Sequence, residues 1–347
     1  MQFYTGIHAH YCGVDLHART MHLCILDSRG QVCLSENMDT TPAQFLAAIA
    51  PCREDLVVAV ECIFTWYWIS DLCAEEGIAF VLGHALYMKA IHGGKAKNDR
   101  IDAHKIAALL RGGMIPQAYV YPPQMRATRD LLRRRMGLVR YRARIQAHIQ
   151  NTHHQYNMNA PGARISYKAN RVGVANHFSD DSARLMVETD FETIGHLETT
   201  IKKIEAYLVR TAKVDDPLAF HLLRTIPGVG PIISLTLLYE IHDINRFPRV
   251  QEFASYSRLI KCSKSSGGRQ LGTSGAKIGN AHLKWAFSEA AVLFLRKNGP
   301  GQKYANKLRR KHNKGKALSV LAHKLGRATY FMLKRETAFD MKRFLAA

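Results

Sequence analysis

The sequence predicts an α/β domain with a mixed sheet, followed by a mainly helical second half. Over residues 1–122, a β-meander precedes alternating helical and strand-like segments, which is the pattern of a sheet with helices on its faces. From residue 123 onward, apolar residues recur at helical spacing over long stretches. We therefore expect three domains: an α/β domain over 1–122, a basic helical spacer with coiled-coil character over 123–215, and a mainly helical domain with a helix-hairpin-helix over 216–347.

The elements of the first domain follow from local patterns. Apolar and alternating runs predict strands over 11–17, 21–27 and 31–35, with a turn at Ser28-Arg29-Gly30. Thr41 followed by Pro42 is typical of a helix start. The continuous apolar run over 56–61 predicts a buried central strand. The remaining pattern predicts a helix over 42–50, a helix over 66–76, a strand over 78–82, a helix over 86–92 and a helix from Asp99 onward.

Charge and cysteine content limit the class of partner and the compartment. The 347 residues include 49 lysines and arginines against 28 acidic residues, a formal net charge of +21. This balance favours a polyanionic partner. Because no apolar run is long enough to span a bilayer and no signal peptide is recognisable, we expect a nucleic acid rather than a membrane, in the cytoplasm. The seven cysteines form no C-x-x-C pair and are predicted to be small buried residues, neither zinc ligands nor disulfides.

Four acidic residues of the first domain are candidates for a metal site. Asp15 lies within a predicted strand, where a charged residue is disfavoured, and Glu61 ends the apolar central strand. Asp99 and Asp102 are three apart on a predicted helix and therefore share a face. Carboxylates that converge repel one another unless a cation neutralises them, and oxygen ligands select a hard ion such as Mg²⁺. Taken one at a time, each acid is equally compatible with an ordinary solvent-exposed position.

The order of a strand aspartate, a strand-end glutamate and N-D-x-x-D-A on a helix resembles the RuvC-like, RNase H-type domain of the DEDD transposases of insertion sequences, which are bridge-RNA-guided recombinases. The resemblance implies a catalytic, Mg²⁺-binding tetrad, formed by Asp15, Glu61, Asp99 and Asp102. One difference is visible. Relatives often continue the glutamate as E-A-T-G, whereas residues 61–65 read E-C-I-F-T.

The first predicted helix of the spacer is rich in arginines, which are interleaved with apolar residues at helical spacing. Asp130 is the only acid in this run, so nearly all its charges are positive. A solvent-exposed amphipathic face usually mixes both signs. We therefore interpret the run as a surface that binds the nucleic-acid backbone. The arginines predicted to do so are Arg126, Arg129, Arg133, Arg134 and Arg140. A second helix is predicted over 181–214, after an irregular segment over 153–182, and the two helices could pair in antiparallel fashion.

Residues 222–240 have the form helix, P-G-V-G, helix, which is the helix-hairpin-helix pattern. Gly228 and Gly230 permit a tight turn whose backbone N–H groups can approach a phosphate. Such a motif grips nucleic acid without reading its sequence. A plain helical hairpin is the alternative.

Residues 247–283 include a stretch rich in Ser, Gly and Lys, and composition alone predicts a flexible polar loop. The order I-P-G-V-G, R-F, F-A-x-Y, S-G-G and K-x-G-N-x-x-L resembles the C-terminal domain of the same transposase family, in which a serine just before the glycine is the nucleophile. The resemblance implies Ser266 as that nucleophile, with Ser265 as the neighbouring alternative. Gly267 and Gly268 would let DNA approach the backbone. Phosphate contacts are then expected from Arg269, Lys277 and Lys284.

The resemblance, with which these patterns agree, implies a DNA recombinase of a bacterial mobile element, which cleaves and rejoins strands through a phosphoserine ester. The resemblance further implies target and donor DNA as substrates, a guide (bridge) RNA as partner, a homo-oligomer (dimer or tetramer) and use at the nucleoid. Two alternatives stay open. One is a metal-dependent RuvC-like junction nuclease that uses water, and the other is a non-catalytic nucleic-acid scaffold with structural acids.

Overall fold

The computed structural model describes residues 2–91, 98–274 and 278–346. The chain forms two compact units, Met1–Pro123 and Gln124–Ala347. The division lies one residue from the expected boundary at residue 122. The predicted boundary near residue 215 falls inside the second unit. No helix in the described ranges is both long enough and apolar enough to cross a membrane.

The first unit contains a five-stranded mixed sheet in the order β3-β2-β1-β4-β5. Strands β1, β2 and β3 are antiparallel neighbours, whereas β4 runs parallel to both β1 and β5. This arrangement confirms the predicted mixed sheet and is consistent with an RNase H-like domain. The elements are β1 (His10–Leu16), β2 (Thr20–Asp27), β3 (Val32–Asp39), α1 (Pro42–Ile49), β4 (Leu56–Glu61), α2 (Tyr67–Glu75), β5 (Ala79–Gly83), α3 (Ala85–Ile91) and α4 (Asp99–Arg111).

Both faces of the sheet are buried. Val14, Val58 and Val60 contribute to a core that includes Phe45 of α1 and Ile69 of α2. The opposite face packs against α4, whose Ala103 and Ala107 are fully buried. Strand β3 extends to residue 39 rather than the predicted 35, because its exposed edge position accepts polar residues that an apolar pattern does not reveal.

The second unit begins with two long helices, α5 (Pro123–Gln155) and α6 (Asp181–Asp215). They run antiparallel, since their ion pairs join rising positions on α5 to falling positions on α6. The pairs are Arg135–Glu205, Arg142–Glu198 and His148–Asp190. The segment between the helices contains two short 3₁₀ turns and packs Ile165, Val174 and Phe178 into a small core with residues of both helices.

Seven further helices and a β-hairpin complete the described part of the second unit. They are α7 (Pro217–Arg224), α8 (Pro231–Ile241), α9 (Val250–Tyr256), β6 (Cys262–Ser266), β7 (Arg269–Ser274), α10 (Ala281–Phe294), α11 (Gly299–Arg309), α12 (Lys314–Arg335) and α13 (Met341–Ala346). Their core combines aliphatic residues with the aromatic side chains of Tyr239, Phe253, Phe287 and Phe294, which are almost fully buried. The prediction of a loop at the serine-rich stretch was wrong, because β6 and β7 pair as an antiparallel hairpin there.

Candidate functional site

A glycine brings α4 onto the sheet. A β-carbon built on Gly13 of β1 would lie 2.3 Å from the carbonyl oxygen of Ala103 and 2.3 Å from the amide nitrogen of Ala107. Real β-carbons do not approach backbone atoms this closely, so only glycine allows α4 to pack directly on β1. This contact sets the start of α4, with Asp99 and Asp102 in its first turn, near the end of β1 that carries Asp15.

Three side chains converge at this point. Nε2 of His17 lies 3.5 Å from Oδ2 of Asp15 and 3.6 Å from Oδ1 of Asp99. One potential ligand atom from each of the three lies within 4.8 Å of the other two. The His17 side chain is 50% exposed, so the cluster opens to solvent. The structure therefore brings two of the four predicted acids together and adds a histidine.

His17 was not among the site residues predicted from the sequence. The signal was present, because His17 lies two residues after Asp15, and side chains two apart along a strand point to the same face. His22 belongs to the same surroundings, since it pairs with Asp15 in the β1–β2 register. Burial lowers the pKa of His22; the carboxylates of Asp99 and Asp15 oppose this in part, whereas Arg100 adds to it. Its Nε2 is 3.1 Å from Oγ of Ser35.

The other two predicted acids, Glu61 on β4 and Asp102 on α4, are not members of this cluster of three ligand atoms. The parallel register pairs Val14 of β1 with Val60 of β4, so Asp15 and Glu61 are the next residues of that register and their side chains lie on the same face. Asp102 lies one turn along α4 from Asp99, and Nζ of Lys105 is 3.2 Å from its Oδ1. The donor set fits a hard divalent cation, since carboxylate oxygens predominate in it.

The serine residues lie at the tip of the β6–β7 hairpin. Ser266 pairs with Arg269 across a two-residue turn of Gly267 and Gly268. Both glycines have positive φ, 55° and 75°, as the turns of two-residue hairpins require. The geometry of this turn is by itself a sufficient reason for two glycines here, apart from any approach of DNA to the backbone. Ser265, Ser266 and Arg269 are exposed, and Ser265 and Ser266 project to opposite sides of the hairpin.

The segments that flank this hairpin in sequence, 256–258 and 278–280, are hydrogen-bonded to each other. Nε of Arg258, just after α9, donates to the carbonyl oxygens of Ile278 and Gly279 at 2.9 Å each. The backbone N–H of Asn280 donates a hydrogen bond to the backbone carbonyl oxygen of Tyr256, at 2.6 Å. Asn280 also caps α10 through its Oδ1. The chain therefore leaves and re-enters the core at neighbouring points. Lys284 is exposed in the first turn of α10, whereas Lys277 lies outside the described residues.

The helix-hairpin-helix glycines have different roles. Gly228 has a φ of +80°, and a β-carbon there would lie 2.5 Å from the carbonyl oxygen of Leu293 at the end of α10. The absence of a side chain at Gly228 therefore allows this turn to pack closely against the end of α10 in the same unit. Gly230 precedes α8, and nothing lies within 4 Å of a β-carbon built on it. The α7–α8 hairpin itself is present as predicted, and its contact with nucleic acid stays a prediction.

The arginine run of α5 divides into buried and exposed members. Arg126 and Arg129 are only 4% and 8% exposed, so the prediction of an open phosphate-binding surface does not fit these two residues. Glu240 of α8, 1% exposed, receives hydrogen bonds from Nε of Arg129 at 3.2 Å and from Nε of Arg133 at 2.7 Å. A buried carboxylate requires such partners, so Arg129 and Arg133 have a structural role.

Other arginines of the same helix remain available. Arg134, Arg140 and Arg144 are exposed. The guanidinium of Arg144 lies 5.9 Å from the ring centroid of Tyr141, which is also exposed. Such a combination of guanidinium groups and an aromatic face suits a nucleic-acid backbone and its bases. The sequence could not distinguish these exposed arginines from Arg129 and Arg133. The carboxylate that binds the latter two belongs to Glu240, which lies 107 residues beyond Arg133.

Comparisons with known proteins agree on one family. The model described as "Transposase IS116/IS110/IS902 family" matches residues 220–306, and a DEDD transposase model of IS110 elements matches residues 12–158. The transposase for insertion sequence element IS1111A of Coxiella burnetii is 23% identical over 334 residues, covering 94% of this chain and 90% of that protein. The transposase for insertion sequence element IS1328 of Yersinia enterocolitica is also 23% identical, covering 94% of this chain and 98% of the other. Because the two models describe one transposase group and match separate parts of the chain, and because both full-length relatives are insertion-sequence transposases, this protein belongs to the DEDD-type (IS110) family of insertion-sequence transposases.

Proposed function

We propose that this protein is a DNA recombinase of an insertion sequence, which cuts and rejoins target and donor DNA through Ser266. The observation that carries the proposal is the exposed serine beside the Gly-Gly turn of a hairpin whose flanking segments are hydrogen-bonded to each other. Family membership and the net charge of +21 support DNA as the substrate.

In the proposed reaction, Oγ of Ser266 attacks the phosphorus of a backbone phosphodiester. A new P–O bond forms to the serine, the P–O bond to the leaving deoxyribose oxygen breaks, and the serine proton is passed on so that the leaving oxygen ends as a hydroxyl. Attack by the hydroxyl of another strand reverses these changes and releases the serine. The bond energy is retained in the ester, so rejoining requires no nucleotide cofactor.

The acidic site completes this proposal. Asp15 and Asp99 would hold a divalent cation, with His17 beside them and with Glu61 and Asp102 as the other members of the expected tetrad. Bound Mg²⁺ there would neutralise the converging carboxylates and polarise a phosphate oxygen. His17 keeps the carboxylates of Asp15 and Asp99 oriented towards one another. The acidic site of one chain and Ser266 of another would act on the same DNA strand in a dimer or tetramer.

Nucleic-acid binding is assigned to exposed cations of the second unit. These are Arg134 and Arg140 on α5, Arg269 beside the serine, and Lys284 on α10. Gly230 and the adjoining start of α8 add a backbone contact to phosphate. A guide (bridge) RNA is proposed as a second ligand, bound by the same kind of phosphate contact.

The test is capture of the covalent intermediate. Purified protein is incubated with Mg²⁺, the RNA transcribed from the element and labelled target and donor DNA, and adducts are detected on a denaturing gel. We expect the wild-type chain and Ser265→Ala to form the adduct, and Ser266→Ala to form none while it still binds DNA. An adduct that persists in Ser266→Ala and disappears in Ser265→Ala would move the nucleophile by one residue. An adduct that persists in both variants would refute the serine mechanism.

A second candidate is a RuvC-like nuclease that uses water. It is favoured by the Asp15, His17 and Asp99 cluster, which lies within one unit and needs no residue of the hairpin. The products distinguish the two. If the protein is a nuclease, Ser266→Ala should cut DNA and produce free ends at the wild-type rate. If it is a serine recombinase, Ser266→Ala should produce no cut DNA.

A further inference from the structure

A second group of potential ligands lies in the first unit, apart from the acidic cluster. It is formed by His10, Cys33 and Cys52, and one ligand atom of each lies within 4.8 Å of the other two. The three come from different elements: the first residue of β1, the second residue of β3, and the end of the 3₁₀ turn that follows α1. The sequence predicts small buried cysteines that are neither zinc ligands nor disulfides, but Cys33 is exposed and Cys52 is half-buried.

The imidazole of His10 is oriented by the backbone. Its Nδ1 lies 3.1 Å from the carbonyl oxygen of Glu54, and a carbonyl can only accept, so Nδ1 carries the proton. In the neutral ring this leaves the Nε2 lone pair free. A histidine whose other ring nitrogen donates to a backbone carbonyl is the arrangement that holds metal-binding imidazoles in one tautomer. The backbone amide of His10 donates to Asp55, which fixes the residue further.

The two thiols complete a soft donor set. Burial raises the pKa of the Cys52 thiol, and neighbouring Cys33 raises it further. Sγ of Cys33 lies 3.9 Å from the carbonyl oxygen of Gln31, and its thiol also hydrogen-bonds the Cys52 thiol. Two sulfurs and one imidazole nitrogen select Zn²⁺-class ions over Mg²⁺, and three protein ligands leave a fourth position for water. The exposure of Cys33 gives water access to that position.

We propose that His10, Cys33 and Cys52 form a binding site for one thiophilic divalent cation of the Zn²⁺ class. The bound ion connects the edge strand β3 to the central strand β1 and to the segment after α1. It lies outside the acidic site and does not depend on the function proposed above. Binding displaces the thiol protons, so affinity rises with pH.

Co²⁺ is the probe, because sulfur-to-cobalt charge-transfer absorption requires Co–S bonds that the carboxylates of Asp15 and Asp99 cannot supply. We expect the reduced full-length chain to bind one Co²⁺ with this absorption, and Zn²⁺ to displace it. Cys33→Ser and Cys52→Ser should each weaken or abolish the absorption. Cys33 is exposed on an edge strand, so Cys33→Ser should fold even if the half-buried Cys52→Ser does not.

Two variants serve as controls. Cys62→Ser removes another exposed cysteine of the same unit, and Asp15→Asn alters the acidic site; both should keep the absorption. The proposal is overturned if the reduced wild-type chain shows no charge-transfer absorption. It is equally overturned if the absorption survives in folded Cys33→Ser, or if it is lost in Cys62→Ser. Loss of catalysis in Asp15→Asn with the absorption intact separates this site from the proposed function.

Discussion

Nδ2 of Asn280 donates a 2.8 Å hydrogen bond to Oε2 of Glu240, so the residue that caps α10 also holds a buried carboxylate of α8. Arg129 and Arg133 of α5 bind the same carboxylate. Three helices of the second unit therefore meet at one negative charge. Because Asn280 follows the serine hairpin, this network also fixes the point at which the hairpin segment returns to the core.

The network predicts acid sensitivity. Burial by itself raises the pKa of Glu240, but the hydrogen bond from Arg133 and the charges of Arg129 and Arg133 outweigh it and lower the pKa from 4.5 to about 2. Since the folded state binds this proton less readily than the unfolded state, the stabilisation is complete above pH 4.5 and is lost as the pH falls towards 2. The difference between these two pKa values corresponds to about 3 kcal/mol in the free energy of unfolding.

Denaturant unfolding measured across this pH range checks the prediction. Glu240→Gln should be less stable at pH 7 by about 3 to 5 kcal/mol, because it removes the buried negative charge that Arg129 and Arg133 bind, and its acid dependence should be shallower. Glu252→Gln is the control, since its pair with Arg249 is exposed and contributes little. Equal acid dependence in wild type and Glu240→Gln would contradict the assignment.

Gly13→Ala should displace α4 from the sheet. The added methyl group has no room against the backbone of Ala103 and Ala107, so we expect a loss of stability of about 1 to 3 kcal/mol or more, by overpacking. Because α4 carries Asp99, divalent-cation binding should weaken as well. Calorimetric unfolding and Mn²⁺ titration measure the two effects. Gly137→Ala, in open space on α5, should be neutral or stabilising by about 0.5 to 1 kcal/mol.

Local patterns predicted the sheet and most helices because apolar periodicity and turn residues act over a few positions. Strand β4 was predicted over its full extent, and Asp15 and Asp99 were identified from their placement on a strand and a helix start. The burial of Arg129 could not be predicted, since it depends on Glu240, which is 111 residues away. The hairpin at Ser266 was missed because its strands are short and polar, although the Gly-Gly pair was a turn signal.

His17 and Asp15 predict a graded response of cation binding. Asp15→Asn should reduce Mn²⁺ affinity most, because it removes a charge from the cluster, whereas His17→Asn should reduce it less and retain both carboxylates. Isothermal titration or Mn²⁺ paramagnetic resonance gives the affinities. Glu36→Gln, an exposed carboxylate on β3 of the same sheet, is the matched control and should bind as wild type. An unchanged affinity in Asp15→Asn would refute the metal site.

Arg134 and Arg140 predict a nucleic-acid surface that is separable from folding. Arg134→Ala and Arg140→Ala should each weaken DNA or RNA binding and lower the slope of log K against log salt by about 1, because each removes one phosphate contact. Arg135→Ala on the same helix is the contrast. Its guanidinium pairs with Glu205, so it should lose stability with little change in the salt slope. Fluorescence anisotropy at several salt concentrations measures the slope. If Arg135→Ala lowered it as much as Arg134→Ala, the exposed arginines would have no special role and the binding surface would have to be sought elsewhere.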